Sequence, residues 1–331
     1  MNFSLIICTY MRPKTVVKLL QSVEKQSLYP NEILIIDGST DAKTENILNH
    51  NLFKNLTYFK VDDSQRGLTK QRNFGIKKVD YNSEIVCFLD DDTVLEKEYF
   101  EKLIETYTTH LDAIAVGGTI TNEVDWKQKS VKTANDEFEF DGFVRKIGQR
   151  NVLRKRFGLL SDKPPGIMPT FSNGFPISFL PPTGKIYEVE SFMGGVSSYR
   201  KELFDKISFS TYFEGYGLYE DLDFCLRASK IGKLYVNTAA RLGHYHEEAG
   251  RPNKYKYGKM VVRNGWYVWR VKYPKPTFKA RFKWNAIVFL QISLRGINIF
   301  ASPNRMEVFT EVVGRKIGWL SLLFNKPKVK K

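Results

Sequence analysis

The feature that most constrains the fold is an apolar run that ends in three consecutive carboxylates. Residues 85–89 read Ile-Val-Cys-Phe-Leu, and Asp90, Asp91 and Asp92 follow directly. An unbroken apolar run of this length is typical of a strand that is buried on both faces, because a half-exposed strand alternates polar and apolar residues. The three acids therefore stand at the carboxyl end of a buried strand, where open α/β sheets bind their ligands.

Three adjacent carboxylates repel one another unless a cation offsets their charge. Mg²⁺ or Mn²⁺ would supply it, because hard divalent ions take oxygen ligands and are commonly held by one or two carboxylates together with substrate phosphates. The alternative is an acidic turn in which Asp91, Asp92 and Thr93 cap a helix that begins near Glu96. The run alone leaves both interpretations open.

The first 118 residues repeat a strand, turn and helix pattern. Predicted strands at 5–8, 33–36, 57–61 and 85–89 alternate with segments of helical spacing, which predicts a parallel sheet with right-handed crossovers. No GxGxxG or GxxxxGK[ST] motif follows these strands, which argues against dinucleotide-binding and P-loop sites. The alignment of polar residues at the carboxyl ends of these strands instead predicts a nucleotide-sized site. These residues are Thr9, Asp37, Asp63 and Asp90 to Asp92.

The pattern changes after residue 118. Residues 119–187 lose their periodicity and are rich in proline, which predicts an insertion of long loops that covers the site. Residues 188–250 regain strand and helix patterns, and residues 251–331 predict a C-terminal helical, basic region.

Two later groups of polar residues each have two interpretations. Glu220 and Asp221 fall in the first turn of a predicted buried helix, where acids complement the helix dipole. They could instead supply a base if residues 213–219 form a cleft wall. His244 and His246 follow an apolar strand, and such a pair on a loop is either a surface feature or a set of metal ligands.

In order and spacing, these segments resemble the family 2 glycosyltransferases. That family has the GT-A fold, a Rossmann-like mixed sheet with helices on both faces, and the resemblance covers residues 3–118 and 188–265. The motifs that carry it are TYMRP at 9–13, IIDGSTD at 35–41, RG at 66–67, QRNFGI at 71–76, FLDDD at 88–92, GG at 194–195, YEDLDFCLR at 219–227 and ARLGH at 240–244.

The resemblance implies an inverting transfer of a sugar from a nucleotide-diphosphate donor to a hydroxyl of a glycan or lipid-linked glycan, with Mg²⁺ or Mn²⁺ as cofactor. It assigns donor binding to residues 1–118, lid loops to 119–187, and acceptor binding and catalysis to 188–250. The implied pathway is assembly of bacterial cell-surface polysaccharide or glycolipid. The nearest alternative is a sugar-phosphate nucleotidyltransferase, although such enzymes usually carry a glycine-rich loop after the first strand, and TYMRP has no glycine.

The resemblance also implies individual roles. Asp92 is the chief metal ligand, with Asp90 and His244 as further metal contacts, and Asp221 is the general base, with Glu220 beside it as a second catalytic candidate. Thr9 and Asp37 lie on the nucleobase and ribose side, with Asp37 accepting from a base N–H. Relatives often have two acids where this chain has Asp37-Gly38-Ser39, which leaves the nucleobase open. The implied donor-binding set is Thr9, Tyr10, Arg12, Asp37, Arg66, Arg72, Asp90 and Asp91, and the acceptor-binding set is Gly194, Gly195 and Tyr219.

The positive charge is concentrated at the C-terminal end. The chain carries a net charge of +15, and residues 272–331 hold 13 Lys or Arg against two acids. An apolar stripe from Phe278 to Ile297 predicts a helix that packs on the core or lies on an anionic membrane surface. Residues 284–300 are too few and too polar for a bilayer span, which needs about 20 apolar residues. A nucleic-acid-binding protein is the remaining alternative for a basic chain, but no recognition motif supports it, and we expect no nucleic-acid partner.

The start of the chain and the cysteines bear on location. No secretory signal precedes the first strand, and the three cysteines lack the spacing of a disulfide framework or zinc site. We therefore expect a mature chain that begins at Met1, in the cytoplasm, peripheral on the inner face of the plasma membrane if the basic region binds lipid.

Overall fold

The structure is a computed structural model that describes residues 1–129, 134–246 and 253–329. The chain divides into two compact units. The sheet unit comprises Met1–Asp125 and Leu180–Gly250, and the helical unit comprises Trp126–Phe179 and Arg251–Lys331.

Strands and α-helices in the described ranges are numbered here in chain order. The strands are β1 (Phe3–Thr9), β2 (Glu32–Asp37), β3 (Leu56–Lys60), β4 (Ile85–Asp90), β5 (Thr93–Leu95), β6 (Ala113–Ile120), β7 (Lys127–Gln128), β8 (Glu137–Phe140), β9 (Phe143–Lys146), β10 (Ile186–Val189), β11 (Val196–Arg200) and β12 (Lys233–His244). The helices are α1 (Pro13–Val23), α2 (Lys43–Asn49), α3 (Leu68–Ile76), α4 (Tyr99–Thr109), α5 (Gly148–Arg156), α6 (Glu220–Ala228), α7 (Lys254–Lys272), α8 (Phe278–Ala301) and α9 (Arg305–Phe324).

The sheet unit is built on one mixed sheet in the order β10-β12-β6-β11-β4-β1-β2-β3, with β5 paired to β12. The neighbours β4, β1, β2 and β3 are all parallel, as the repeated strand and helix pattern predicts. Strand β11 runs antiparallel between β4 and β6, and β12 returns parallel to β6. The predicted mixed sheet is confirmed.

Helices lie on both faces of this sheet. Leu5 and Ile7 of β1 belong to one buried cluster with Val16 and Leu19 of α1. A side chain at Gly75 of α3 would instead meet Ile6, which projects from the opposite face of β1 because successive strand residues alternate. Both faces of β1 are therefore covered, which explains why its apolar run is unbroken.

The register of the central strands brings polar residues together at the carboxyl ends of the strands. Thr9 stands opposite Asp37, and Cys8 stands opposite Asp90. Asp63, the fourth polar residue expected there, is not part of this group. Strand β3 ends at Lys60, and the Asp63 side chain is 88% exposed and paired with Arg66.

The region expected to be long loops, residues 119–187, contains regular structure. Strand β6 continues to Ile120, and β7, β9 and β8 form a small antiparallel sheet in the helical unit, followed by α5. These three strands are two to four residues long, which is too short for a two-residue period to show in the sequence.

Glycines set the close packing of α7 on α9. A Cβ on Gly314 would lie 2.1 Å from the carbonyl oxygen of Tyr255, and one on Gly258 would lie 2.2 Å from that of Glu311. The buried Glu311 carboxylate accepts hydrogen bonds from both Arg295 and Arg315. Glu311 is the only buried acid among the described residues of the helical unit, and both of its oxygens are paired with arginines of that unit.

The apolar stripe, for which the sequence allowed either core packing or a membrane surface, is not buried, since Phe278, Phe282, Phe289 and Ile297 are exposed. Helix α8 buries Ala280, Trp284, Ile287, Val288 and Ile292 instead. We call the exposed large apolar residues of α8 and α9 the outer apolar face. Its members are Phe278, Phe282, Phe289, Ile297 and Phe300 on α8 and Met306, Phe309, Ile317, Leu320, Leu323 and Phe324 on α9.

The predicted helix is confirmed, but it is longer than the 284–300 segment that was judged too short for a bilayer span. Helix α8 has 24 residues and extends beyond the 284–300 segment at both ends. By length and composition alone it is long and apolar enough to cross a membrane, and no other helix of the described chain is. A buried core helix can pass the same test.

Candidate active site

Two carboxylates and an imidazole converge where β4 and β12 end. One ligand atom from each of Asp90, Asp92 and His244 lies within 4.8 Å of the other two. Asp92 Oδ1 and His244 Nε2 are 3.0 Å apart. The pairing of β5 with β12 produces this contact, because it places Thr93, the residue after Asp92, opposite His244. His244 therefore belongs to a strand and not to the surface loop that the sequence allowed.

A further carboxylate orients the imidazole. Glu123 Oε1 lies 2.9 Å from His244 Nδ1 and 2.9 Å from His246 Nε2. Burial by itself lowers the pKa of His244, but its hydrogen bonds to Asp92 and Glu123 outweigh burial and raise the pKa to about 10. Glu123, His244 and His246 form a second group of close ligand atoms on the same strand end.

The first of these groups fits a hard divalent ion. Octahedral coordination with bonds of about 2.1 Å puts neighbouring ligand atoms about 3 Å apart, and the spacing of Asp92 Oδ1 and His244 Nε2 agrees with that. Asp92 and the His244 ring are largely buried, whereas the Asp90 side chain is 39% exposed. Asp90, Asp92 and His244 are the residues that could hold the ion.

Asp91 faces away from this group. Its Oδ2 accepts a hydrogen bond from the Thr9 hydroxyl at 2.7 Å, and its Oδ1 accepts one from Arg12 Nη1 at 2.9 Å. Burial raises the pKa of Asp91 to about 6, with Arg12 and Thr9 acting in the opposite direction. Thr9, Arg12 and Asp91 thus brace one another and hold the loop after β4, and Arg12 Nη1 also lies 3.5 Å from Asp92 Oδ2.

Arg72 links Asp90 to α6. Its guanidinium forms an ion pair with Glu220 and lies 3.6 Å from Asp90 Oδ1. The rings of Phe88 and Phe209 flank it at 5.4 and 5.2 Å. Burial disfavours the charged guanidinium, but Glu220 and Asp90 outweigh burial and raise the pKa of Arg72. A permanent positive charge therefore lies between the two acidic groups.

The two acids that begin α6 have different surroundings. Arg72 donates a hydrogen bond to Glu220 Oε1, and the buried Glu220 Oε2 has no hydrogen-bond partner in the described structure. The Asp221 carboxylate accepts from the backbone N–H of Leu222 at 2.7 Å and of Gly194 at 3.2 Å. Burial raises the pKa of both acids, with Arg72 opposing the shift. Asp221 is thus oriented by backbone donors, whereas Glu220 is committed to Arg72.

The glycine pair lies between these carboxylates. A Cβ on Gly195 would lie 2.1 Å from Asp90 Oδ2, and one on Gly194 would lie 2.6 Å from Arg72 Nη1. Because Asp221 binds the N–H of Gly194, Asp90 and Asp221 flank the same two-residue turn. The carboxylates of Asp90 and Asp221 therefore belong to one site.

Tyr219 leads into α6 with a left-handed backbone, at φ 71°. A non-glycine residue in this conformation costs about 1–3 kcal/mol, which the surrounding structure must offset. The strained residue directly precedes the two acids and so sets where α6 begins relative to the glycine pair.

A partly exposed aromatic ring and a cation mark the other end of the site. The Tyr10 ring is 39% exposed, and the Arg66 guanidinium lies 6.0 Å from its centre. Arg66 Nε donates to the carbonyl oxygen of Gly38 at 2.7 Å, which fixes it beside the turn after β2. An exposed ring with a neighbouring guanidinium offers a flat surface for a nucleobase.

Asp37 lies beneath this surface and has no exposed area. Its carboxylate accepts from the Ser39 backbone N–H at 2.7 Å and from the Tyr58 hydroxyl at 2.9 Å. The contact predicted between Asp37 and a nucleobase is not open in this conformation. In the described structure Asp37 instead shapes the turn that carries Gly38 and Ser39.

The sequence interpretation missed Glu123, Tyr58 and the part played by His246. Glu123 follows the end of β6 by three residues, and nearness to a strand end is the signal that singled out the other acids. It was assigned to the loop region, because β6 was expected to end near residue 118. Tyr58 lies inside β3 and carried no signal of its own.

Comparison with known proteins agrees with this geometry. Residues 4–196 match the family model described as glycosyl transferase family 2. Among curated proteins, a glucosyl-dolichyl phosphate glucuronosyltransferase of Haloferax volcanii is 26% identical over 42% of this chain and 44% of its own length. An O-antigen chain rhamnosyltransferase of Salmonella typhimurium is 25% identical over 46% of this chain and 50% of its own length.

The matches span about half the length of these two curated relatives. Among solved structures, that of GalNAc-T7 with UDP, GalNAc and Mn²⁺ matches with a TM-score of 0.52 at 15% identity, over 80% of this chain and 48% of that one. This likeness shows the fold, so the GT-A fold expected from the sequence is confirmed. None of these matches supports a nucleotidyltransferase or a nucleic-acid-binding protein.

Proposed function

This chain belongs to glycosyl transferase family 2, and we propose that it transfers a sugar from a nucleotide-diphosphate donor to an acceptor hydroxyl with inversion. The observation that carries the proposal is the shared glycine turn, since Asp90 lies against Gly195 and Asp221 accepts a hydrogen bond from Gly194. A divalent-ion site and a candidate base thereby flank a space in which a donor and a hydroxyl could meet.

The donor site extends from the ion to the exposed ring. We assign the diphosphate to the ion held by Asp90, Asp92 and His244, and the nucleobase to the surface of Tyr10 and Arg66. Thr9, Arg12, Asp37 and Asp91 act as the frame of this site, because their polar atoms are bonded to one another or to neighbouring residues. Arg72 contributes a buried positive charge near the diphosphate end.

The ion is Mg²⁺ or Mn²⁺, and an imidazole beside two carboxylates favours Mn²⁺. When bound, it would offset the negative charge that develops on the departing nucleoside diphosphate. Support comes from the donor set and from the spacing of Asp92 and His244.

Asp221 is the proposed general base. A carboxylate that takes the proton of the attacking hydroxyl typically contributes about 10² to 10⁴ in rate. Two backbone N–H groups orient Asp221, and burial raises its pKa, which makes it a better proton acceptor than an exposed aspartate. The acceptor oxygen attacks the anomeric carbon opposite the leaving group, through an oxocarbenium-like state, and this inverts the centre. Glu220 positions Arg72 and takes no proton.

We propose a glycan or lipid-linked glycan as the acceptor, bound near Gly194, Gly195 and Tyr219, in the assembly of a cell-surface polysaccharide or glycolipid. The names of the two curated relatives refer to a dolichyl phosphate-linked sugar and to an O-antigen chain. We further propose that the outer apolar face rests on an anionic leaflet, which would place the protein at the inner face of the plasma membrane. Eleven exposed large apolar side chains and the basic C-terminal region support this placement.

The decisive experiment is a thermal-shift panel of UDP-, GDP- and dTDP-sugars with and without Mn²⁺, followed by measurement of nucleoside diphosphate release. One donor should stabilise the protein only with the ion, and Asp92→Ala should remove this stabilisation. Glu105→Ala, on the exposed side of α4, is the control. Ion-independent binding of every sugar nucleotide, or of none, would contradict the proposal.

The membrane contact has its own test. The protein should float with anionic liposomes at low salt and less so with neutral ones, because lysine and arginine near an anionic surface contribute about 1 kcal/mol each. Absence of the protein from the floated fraction at low salt would dismiss this part.

A further inference from the structure

A cavity of about 500 Å³ lies among α7, α8 and α9 in the helical unit. This volume falls in the range of small-molecule sites. Four of the five tryptophans of the chain line it, namely Trp266, Trp269, Trp284 and Trp319. The rings of Trp269 and Trp284 stack at 5.4 Å with an interplanar angle of 12°.

The walls of this tryptophan cavity are apolar in character. Trp269 donates its indole N–H to the carbonyl oxygen of Thr170 at 2.8 Å, and Trp319 donates to Asn285 Oδ1 at 2.8 Å. These polar atoms are satisfied within the protein, so the rings offer a ligand mainly their hydrocarbon surface. Leu320, Leu322 and Leu323 complete the lining.

Three cations also line the cavity, and no acid is among its lining residues. They are Arg270, Arg281 and Lys326. In the part of the chain that the structure describes, the two arginines donate to the backbone carbonyls of Pro274 and Pro276, and none of the three cations forms an ion pair with a carboxylate. Burial and then repulsion from Arg281 lower the pKa of Arg270. An anion at this point would relieve the repulsion.

The edge of the cavity is continuous with the outer apolar face. Leu320 and Leu323 belong to both, and they are 53% and 70% exposed. Water-exposed leucines beside a tryptophan-lined cavity suit a ligand whose apolar part extends out of the protein. A free sugar phosphate or a nucleotide would leave these two leucines exposed to water.

We propose that the tryptophan cavity binds a lipid phosphate, with the proximal part of the acyl or isoprenoid chain against the tryptophans and the phosphate on Arg270, Arg281 and Lys326. Guanidinium groups bind phosphate oxygens through paired charge-assisted hydrogen bonds, which suits two arginines on one rim. The site is assembled from the helical unit alone. It does not rest on the proposed sugar transfer.

Tryptophan fluorescence of the full chain tests the proposal, since four of five indoles line the cavity. Titration with decyl phosphate below its micelle concentration should give a saturable change in emission. Decyl maltoside, which has a similar chain and no charge, should bind at least about tenfold more weakly, because a charge-assisted hydrogen bond is missing. Inorganic phosphate alone should give no saturable change. Equal response to decyl phosphate and decyl maltoside would overturn the proposal in favour of plain adsorption to apolar surface, and a response to inorganic phosphate alone would overturn the lipid part.

Charge variants with matched controls locate the headgroup. Arg281→Gln should weaken decyl phosphate binding about tenfold, whereas Lys279→Gln, two residues earlier on α8 and outside the cavity lining, should leave it unchanged. Lys326→Gln and Lys316→Gln form a second pair on α9 and the residues after it. All four residues are exposed, so the variants should fold. The Lys326 pair also keeps the test independent of the Arg281 bond to Pro276. Equal binding by both members of both pairs would overturn the assignment of the phosphate.

These outcomes separate the two proposals. Decyl phosphate binding is measured without any sugar nucleotide or Mn²⁺, and donor binding is measured without any lipid. Failure of the decyl phosphate titration leaves the family 2 transferase intact, and failure of the donor panel leaves the tryptophan cavity intact.

Discussion

The candidate active site of the sheet unit and the tryptophan cavity of the helical unit hold charge in opposite ways. In the sheet unit, Asp91 and Glu220 are buried and each is paired with an arginine, Arg12 or Arg72. In the helical unit, Arg281 and Lys326 are exposed and, among the described residues, have no carboxylate partner. Buried charged groups with shifted pKa values are candidates for a functional site. Exposed cations beside exposed apolar residues need a partner that supplies both negative charge and apolar surface.

This difference shows what each region requires from outside the protein. In the candidate active site, other side chains pair with the buried charges, and the proposed reaction needs only a small ion and a donor. In the helical unit, Phe278 and Phe324 are 85% and 91% exposed, an arrangement that costs free energy in water. Folding alone pairs the charges of the first region, whereas the exposed cations and apolar side chains of the second region need a bound partner.

The largest effect is expected from Asp221→Asn. The amide keeps the shape of the side chain but cannot take a proton, so turnover should fall about 10² to 10⁴-fold while Mn²⁺-dependent donor stabilisation is kept. Nucleoside diphosphate release and thermal shift measure the two properties separately. Asp205→Asn, at an exposed carboxylate of the sheet unit, is the control. Full turnover by Asp221→Asn would remove the base.

The same residue gives a dependence on pH. Burial raises the pKa of Asp221 above that of an ordinary aspartate. Since a base works only when deprotonated, turnover should fall as the pH is lowered through that raised pKa, at a higher pH than an exposed aspartate would give. A pH profile of kcat/KM with an acid limb near pH 4 or lower would contradict the assignment.

Breaking the buried pair of Arg72 and Glu220 should destabilise the protein more than loss of an exposed charge in the helical unit. Arg72→Met leaves Glu220 without its cation, and loss of one partner of a buried pair costs about 3–5 kcal/mol of unfolding free energy. The double variant Arg72→Met, Glu220→Gln removes both charges and should recover most of that loss. Urea unfolding measures all three proteins. A double variant no more stable than Arg72→Met would show that the pair is not the source of the cost.

Glu123 offers an intermediate effect, because it acts through His244. Replacing a carboxylate that orients a metal-binding histidine usually weakens metal affinity about 10 to 100-fold. Glu123→Gln should do so in a Mn²⁺ titration followed by electron paramagnetic resonance, while the protein stays folded. His246→Gln is the matched control, since it leaves the bond between Glu123 and His244 in place. Equal losses in both variants would mean that Glu123 acts through His246 as well.

The polar residues at the carboxyl ends of the parallel strands could be predicted from the sequence because their signals are local. The run that ends in Asp90 to Asp92 predicted a buried strand with its acids at the ligand edge, and β4 is such a strand. Asp37 and Thr9 followed from the same rule, and their register in the sheet agrees. The prediction for Asp63 was wrong because strand β3 ends three residues earlier, at Lys60, and the Asp63 side chain is exposed to solvent.

Contacts between distant segments could not be read from the sequence. The pairing of Thr93 with His244 depends on the short strand β5, whose three residues have no period. The ion pair of Arg72 with Glu220 joins residues 148 positions apart. In α8 the sequence predicted the apolar stripe but not whether it packs on the core or faces outward, and Phe278, Phe282 and Phe289 are exposed. Periodicity predicts that a helix has an apolar side, but not which partner covers it.

The smallest predicted effect separates general attraction to a membrane from the tryptophan cavity. Lys316→Gln removes one exposed charge beside Ile317 of the outer apolar face, and Lys316 is not among the residues that line the cavity. Partition into anionic liposomes should fall about fivefold, since one lysine contributes about 1 kcal/mol near such a surface. Decyl phosphate binding should stay unchanged in this variant, whereas Lys326→Gln should lower both. If Lys316→Gln lowered both equally, the cavity would have no headgroup specificity of its own, and the two units would differ only in net charge.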